Sequence, residues 1–260
     1  MLCALAAVLP LLASAQVTVN DLETEFAARV GATLDKKIVR GLHVNVSGEG
    51  RLTDNFSSLS RFDAGVGVTY KLNNYFKFGA GYIFIDRLSS SEEWKIRHRI
   101  YTDAKFTLKA GDWNFSVKER LQLTHKDVNA YKHQTTPNLL ALKSRLQVAY
   151  KGNPWLTPYC YVELRNVFND PACSATWSTA SQTFTDYSFT GYTDAYLNRV
   201  RGSLGLEWAL DSHNSLDFYL LADYCYDKNV DTAKKGTVLK SISYDRTFLG
   251  TICVGYQFSF

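Results

Sequence analysis

The chain has 260 residues, with 29 Lys and Arg against 25 Asp and Glu and a net charge of +4. With no basic run and no concentrated basic helix, that balance does not suggest a nucleic-acid partner, and none is expected. Sixteen Tyr and 15 Phe beside one Met and 5 Pro favour strands over helices, and the length suits a single all-β domain.

Met1 to Ala15 is almost wholly apolar and ends on the small triplet Ala13-Ser14-Ala15. It predicts a secretory leader, residues 1–15, cut before Gln16, although it lacks the basic flank that usually opens one. The alternative is a buried hydrophobic segment. Residues 16–260 then form one domain. No later stretch reaches the ~20 continuous apolar residues of a membrane helix. The cysteines beyond the leader, Cys160, Cys173, Cys225 and Cys253, fit neither a zinc motif nor a disulfide framework.

From Leu22 to Leu34 apolar and small residues alternate with Glu23, Glu25 and Arg29. A period of two means a strand with one oily and one wetter face. Asp35-Lys36-Lys37 reads as a turn, and Ile38 to Leu52 as the returning strand. The unit repeats over Arg61–Leu72, Phe76–Ile85, Trp94–Leu108, Trp113–Thr124, Leu139–Lys151, Trp155–Asn166, Ala195–Leu210 and Leu216–Tyr226. Short turns near 35, 73, 111, 153 and 212 alternate with longer polar segments, notably His125–Asn138, Asn169–Thr193 and Asp227–Asp245. Trp94, Trp113, Trp155 and Trp208 fall near strand ends, as an aromatic girdle would.

The last strand, Thr247–Phe260, places Phe248, Ile252, Val254, Tyr256, Phe258 and Phe260 on one face. Aromatics at Tyr256, Phe258 and Phe260 resemble the closing-strand signal of Gram-negative outer-membrane barrels. The pattern predicts a transmembrane antiparallel up-and-down β-barrel of 10–12 strands, with a charged lumen and long external loops. Eleven segments are visible, and bacterial barrels use even numbers. Twelve strands are therefore expected, with Gln16–Asp21 supplying a partial one; the alternative is a ten-stranded wall without the first strand. A soluble β-sandwich would need neither the loop asymmetry nor an oily face on every strand.

The blocks Arg51-Leu-Thr-Asp-Asn-Phe56, Tyr70-Lys-Leu-Asn-Asn-Tyr-Phe-Lys-Phe-Gly-Ala-Gly-Tyr82, His98-Arg-Ile-Tyr-Thr-Asp103, Lys118-Glu-Arg-Leu-Gln122 and Asn198-Arg-Val-Arg201 together resemble the domain of unknown function 2490 family of outer-membrane proteins. The resemblance implies a barrel and no activity, so no functional residue is carried over from it.

If the oily face meets lipid, the other lines the lumen. The expected lumen-lining set is Arg97, Arg99, Asp103, Lys118, Arg120, Arg145, Glu163, Arg165, Arg199, Arg201, Glu207 and Asp223, with Asp217 beside them. Counting outward from the turns sets Arg145 against Glu163, Asp103 near Lys118 and Arg201 near Asp223. Such pairs fill a narrow lumen; an Arg excess equally suits an anion pathway. Glu119 breaks the oily face, and a β-bulge turning it inward is expected.

An acyl hydrolase would need a nucleophile, a His base and an orienting group. No G-x-S-x-G motif is present, and His43 is the one histidine expected inside, beside Asn45 and Ser47. His125, Asp127 and His133 share an external loop and could bind a metal, though their spacing is loose; no metal or cofactor is expected. The expected partners are outer-membrane lipid and the barrel assembly machinery. The functional expectation is a small channel for polar or anionic solutes in the Gram-negative outer membrane. Its alternatives are a closed barrel whose loops meet an external partner and, last, a lipid-modifying enzyme.

Overall fold

The computed structural model describes residues 17–89, 92–127, 134–233 and 238–260. The expected leader lies outside the described residues. Among those described, the chain forms β1 (Val17–Val39), β2 (Leu42–Thr53), β3 (Ser58–Lys71), β4 (Phe76–Leu88), β5 (Trp94–Ala110), β6 (Trp113–Lys126), β7 (Asn138–Tyr150), β8 (Leu156–Ser178), β9 (Thr183–Ala209), β10 (Asn214–Ala233) and β11 (Val238–Ser259). No helix among them is long and apolar enough to cross a membrane.

Each strand pairs with the next, and β1 pairs with β11, so the sheet closes into a barrel. The expected twelve strands are corrected to eleven. Hairpins reverse direction at every step, so the first and eleventh strands point the same way, and the closing pair is parallel rather than antiparallel. Phe26 lies opposite Gly250 and Leu34 opposite Phe258. Of the segment expected to supply a partial strand, the described residues 17–21 simply extend β1, with Val19 opposite Tyr244.

Two further boundaries move. Asp35-Lys36-Lys37 is strand, not turn, because its backbone is bonded on both sides. Asp35 pairs with Asn45 and Lys37 with His43, while Phe260 N donates to Asp35 O (3.0 Å) and Lys37 N to Phe260 O (2.9 Å). The turn is Arg40-Gly41, where Gly41 has φ +82°. A Cβ there would lie 2.7 Å from the Lys71 carbonyl oxygen, so a side chain would be both strained and obstructed.

Two of the expected long loops, Asn169–Thr193 and the described part of Asp227–Asp245, are largely strand as well. Pairing of β9 with β10 stops at Arg199 and Cys225. Beyond it, β8–β9 continues to Ser178 opposite Thr183 and β10–β11 to Ala233 opposite Val238. These two hairpin extensions form a crest that stands past the closed wall. Its centre is Phe184, Val230, Leu239 and Ile242, packed with Trp177, Tyr187 and Tyr244. Lys228 Nζ donates to Asp194 Oδ2 (2.5 Å) and to the Pro171 carbonyl (3.0 Å), tying one hairpin to the other. The segment Asn169–Thr193 reads as loop because register shifts at Val167/Asp170, Asp170/Ala172, Ala172/Cys173 and Ser174/Thr176 interrupt its alternation; each bulge flips the side-chain pattern.

Around the wall, alternation turns apolar side chains out and polar ones in. Val30, Val66, Phe78, Ile100, Leu146, Val162, Leu204, Leu220 and Ile252 are all exposed on the outer surface. Inside, Gly67 and Gly81 make room for Tyr101, whose hydroxyl would lie 2.9 and 2.5 Å from a Cβ at those positions.

Candidate functional site

The closed wall surrounds one continuous cavity of about 1050 Å³, lined from Ser215 and Lys151 at the short-turn end to Arg97 and Lys126 at the other. We call that other end the loop end. Of the expected set, Arg97, Arg99, Arg120, Arg145, Arg165, Arg199, Arg201 and Glu207 border the cavity, as does Asp217. Asp103, Lys118, Glu163 and Asp223 join them through ion pairs.

Those pairs follow from register. Arg201 lies opposite Asp223, and its Nε and Nη2 donate to the two carboxylate oxygens at 2.5 and 2.7 Å. Glu163 lies opposite Arg145 and accepts from it at 2.7 Å. Arg201 Nη1 is 3.8 Å from Glu163 and Arg199 Nη1 3.7 Å from Asp223. Charges from β7 to β10 thus form one chain. On β5 and β6, Asp103 is opposite Arg120 rather than Lys118. It accepts two bonds from Arg120 (2.6 and 2.7 Å) and lies 3.1 Å from Lys118. Buried charge tolerates a low-dielectric surrounding only with such partners. Two guanidinium groups also lie on aromatic rings at 4.0 Å, Arg120 on Tyr101 and Arg145 on Tyr161.

A family model described as protein of unknown function (DUF2490) matches residues 30–234, most of the chain. The chain belongs to the DUF2490 family. No curated protein matches it.

The DUF2490 barrel carries a third charge network that the sequence reasoning missed. Arg29 and Arg51 hold Glu49, at 3.4 and 2.6 Å, and Arg51 and Arg61 hold Asp63, at 3.2 and 2.6 Å. Lys143 is also inward, 3.8 Å from Glu163, and Arg87, Lys105 and Lys126 line the cavity. The signal was present: Arg29 alternates with Ala28 and Val30, and Arg61 with Phe62. Arg51, Arg61 and Asp63 fall near strand ends, where charges read equally well as loop-facing.

Glu119 corrects another expectation. The registers of β6 with β5 and with β7 run through it unbroken, so no bulge turns it inward. It stays on the outer face, opposite Ala104 and Ser144, and Ser144 Oγ donates to its carboxylate at 2.6 Å. A neighbouring hydroxyl does there what water would do elsewhere.

The four cysteines among the described residues are free; Cys225 and Cys253 lie on adjacent strands facing Thr247 and Tyr219 rather than each other. His43 Nδ1 is 2.8 Å from Asp35 Oδ2 near the short-turn end. Among the described residues no hydroxyl completes that dyad within hydrogen-bond distance, and no group of three or more metal-ligating side chains converges. His133 lies outside the described residues.

Proposed function

We propose that this DUF2490 protein is an outer-membrane β-barrel of a Gram-negative cell whose lumen admits small anionic solutes. One observation carries the reading: the wall is apolar on its bare outside and charged on its inside, the reverse of a barrel built for water. Lipid is then the natural cover for the outer belt. Trp94 at the loop end and Trp113, Trp155 and Trp208 at the other are exposed on strand ends, where membrane interfaces favour them. Tyr256, Phe258 and Phe260 serve as the recognition signal for the barrel assembly machinery. The excess of guanidinium groups over carboxylates in the lumen favours anions.

The experiment is planar-bilayer conductance of the refolded protein under a salt gradient. A steady conductance with an anion-selective reversal potential, shifted toward neutrality by Arg99→Ala, is the expected result. A silent bilayer, with folding verified by heat-modifiable gel mobility, overturns the channel and leaves a closed barrel whose crest is its working surface.

A further inference from the structure

The lumen's charges are unevenly paired. Glu49, Asp63, Asp103, Glu163 and Asp223 each accept from an arginine within 2.7 Å. Toward the loop end the balance fails. Arg87 on β4, Arg97 and Arg99 on β5, Lys126 on β6 and Arg165 on β8 all line the same cavity. Among the described residues none of the five has a carboxylate within 4.0 Å. Arg97 lies directly opposite Lys126, and Arg165 directly opposite Arg199.

Like charges directly opposite on a sheet are destabilising, and a guanidinium cannot escape by losing its proton. Their present partners are neutral: Arg99 Nε donates to Thr124 Oγ1 at 3.0 Å, and Arg165 donates to the Asn198 side-chain carbonyl. Arg199 Nε is buried without an acceptor. Asp227 borders this part of the cavity and accepts from the Asn198 amide, while Glu25 and Asp63 line the same cavity without coming within 4.0 Å of any of the five cations. The site therefore has donors to spare and more positive charge than its nearest carboxylates match, which a bound anion would offset.

We propose that the loop end of the lumen is a binding site for a small solute carrying a phosphoryl group of two or more negative charges. Resting on the anion-admitting reading above, this narrows it to a substrate class. A tetrahedral phosphoryl group offers several oxygens to donors converging from different strands, and planar guanidinium forks match them in pairs. Arg97, Arg99 and Arg165 bind the oxygens, while Arg87 and Lys126 supply charge.

The test is calorimetric titration of the full refolded chain in detergent micelles with sodium orthophosphate, pyrophosphate, tripolyphosphate and citrate, at matched ionic strength. Affinity should rise from orthophosphate to tripolyphosphate. Arg97→Gln and Arg165→Gln should each weaken tripolyphosphate binding about tenfold or more, the worth of one charged hydrogen bond, whereas Lys240→Gln, an exposed crest residue, should not. Tripolyphosphate should also raise the wild-type unfolding midpoint, a readout needing no variant. Heats equal to those of added chloride, unaltered variants, or citrate binding as tightly as pyrophosphate would overturn the proposal. A silent bilayer with intact tripolyphosphate binding defeats the channel alone; an anion-selective pore without that binding defeats this site alone.

Discussion

The closed wall and the crest use the same two strands in opposite ways. Register on β10 and β11 runs unbroken from Leu220 opposite Ile252 to Val230 opposite Ile242, so all four side chains belong to one continuous face. In the wall Leu220 and Ile252 are 56% and 55% exposed; in the crest Val230 and Ile242 are each 7% exposed. The difference is a cover. Past Arg199 and Cys225 the β8–β9 hairpin is released from β10 and packs over that face. Where the chain hides this oily face it spends its own residues on the task; around the wall it supplies nothing. That contrast is what an external apolar solvent around the wall, and water around the crest, would produce.

The sharpest way to break the contrast is to disturb the wall from within. Asp223 is 0% exposed and chelated by Arg201. Asp223→Ala strands that guanidinium and should cost about 3–5 kcal/mol in denaturant unfolding of the refolded protein. Replacing both, Arg201→Met with Asp223→Leu, should recover most of the loss. In the crest, Leu239→Ala should cost about 2–5 kcal/mol by opening a cavity, yet locally. Limited proteolysis should cut near 179–182 while the wall stays resistant; a wall that falls with the crest would show them to be one cooperative unit. Leu220→Arg probes the cover directly. In a bilayer it should cost about 2–4 kcal/mol near the midplane, but at a water-facing position within about 0.5 kcal/mol. Vesicle refolding yields read the difference, and a neutral result would remove the lipid belt from the argument.

The smallest effect belongs to neither region. The turn residue Asp211 accepts from the backbone N–H of His213 (2.7 Å) and of Asn214 (2.8 Å). These bonds, that of His213 foremost, hold its carboxyl below the usual range. A depressed folded pKa means the turn's contribution is complete above the ordinary carboxylate range and fades as pH falls through the folded value. A carbon-detected titration should place the Asp211 midpoint below that of an unstructured peptide.

Strand periodicity made the wall legible because its strands follow one alternation, oily out and polar in, with few exceptions such as Glu119. Arg145 with Glu163 and Arg201 with Asp223 could be paired by counting from turns, since short hairpins fix register. The crest was illegible for the same reason: bulges near Arg165, Val167, Asp170, Ala172 and Ser174 break the count, and its apolar residues then read as an aromatic loop. Glu119 misled in another way. The bulge inferred to hide it was unnecessary, because Ser144 from β7 meets its carboxylate, a tertiary contact invisible in local pattern. Arg97, Arg99 and Arg165 were legible by the same alternation, whereas Arg51, Arg61, Arg87 and Lys126 escaped because a charge near a strand end looks solvent-facing until the barrel closes around it.

The parallel seam also has a kinetic meaning. Ten of the eleven strand pairs join neighbours in sequence, whereas β1 meets β11 with Asn20 bonded to Asp245, 225 residues away. Loop closure over such a separation is entropically slow and is rewarded only once both edges are in place. Sealing is therefore the committed, late step of folding, and until it occurs the curved sheet presents two unsatisfied edges of like direction. A chain shortened by the few residues around Phe260, which bond both Asp35 and Lys37, should accumulate as an open sheet that forms its hairpins at normal speed and stalls at closure.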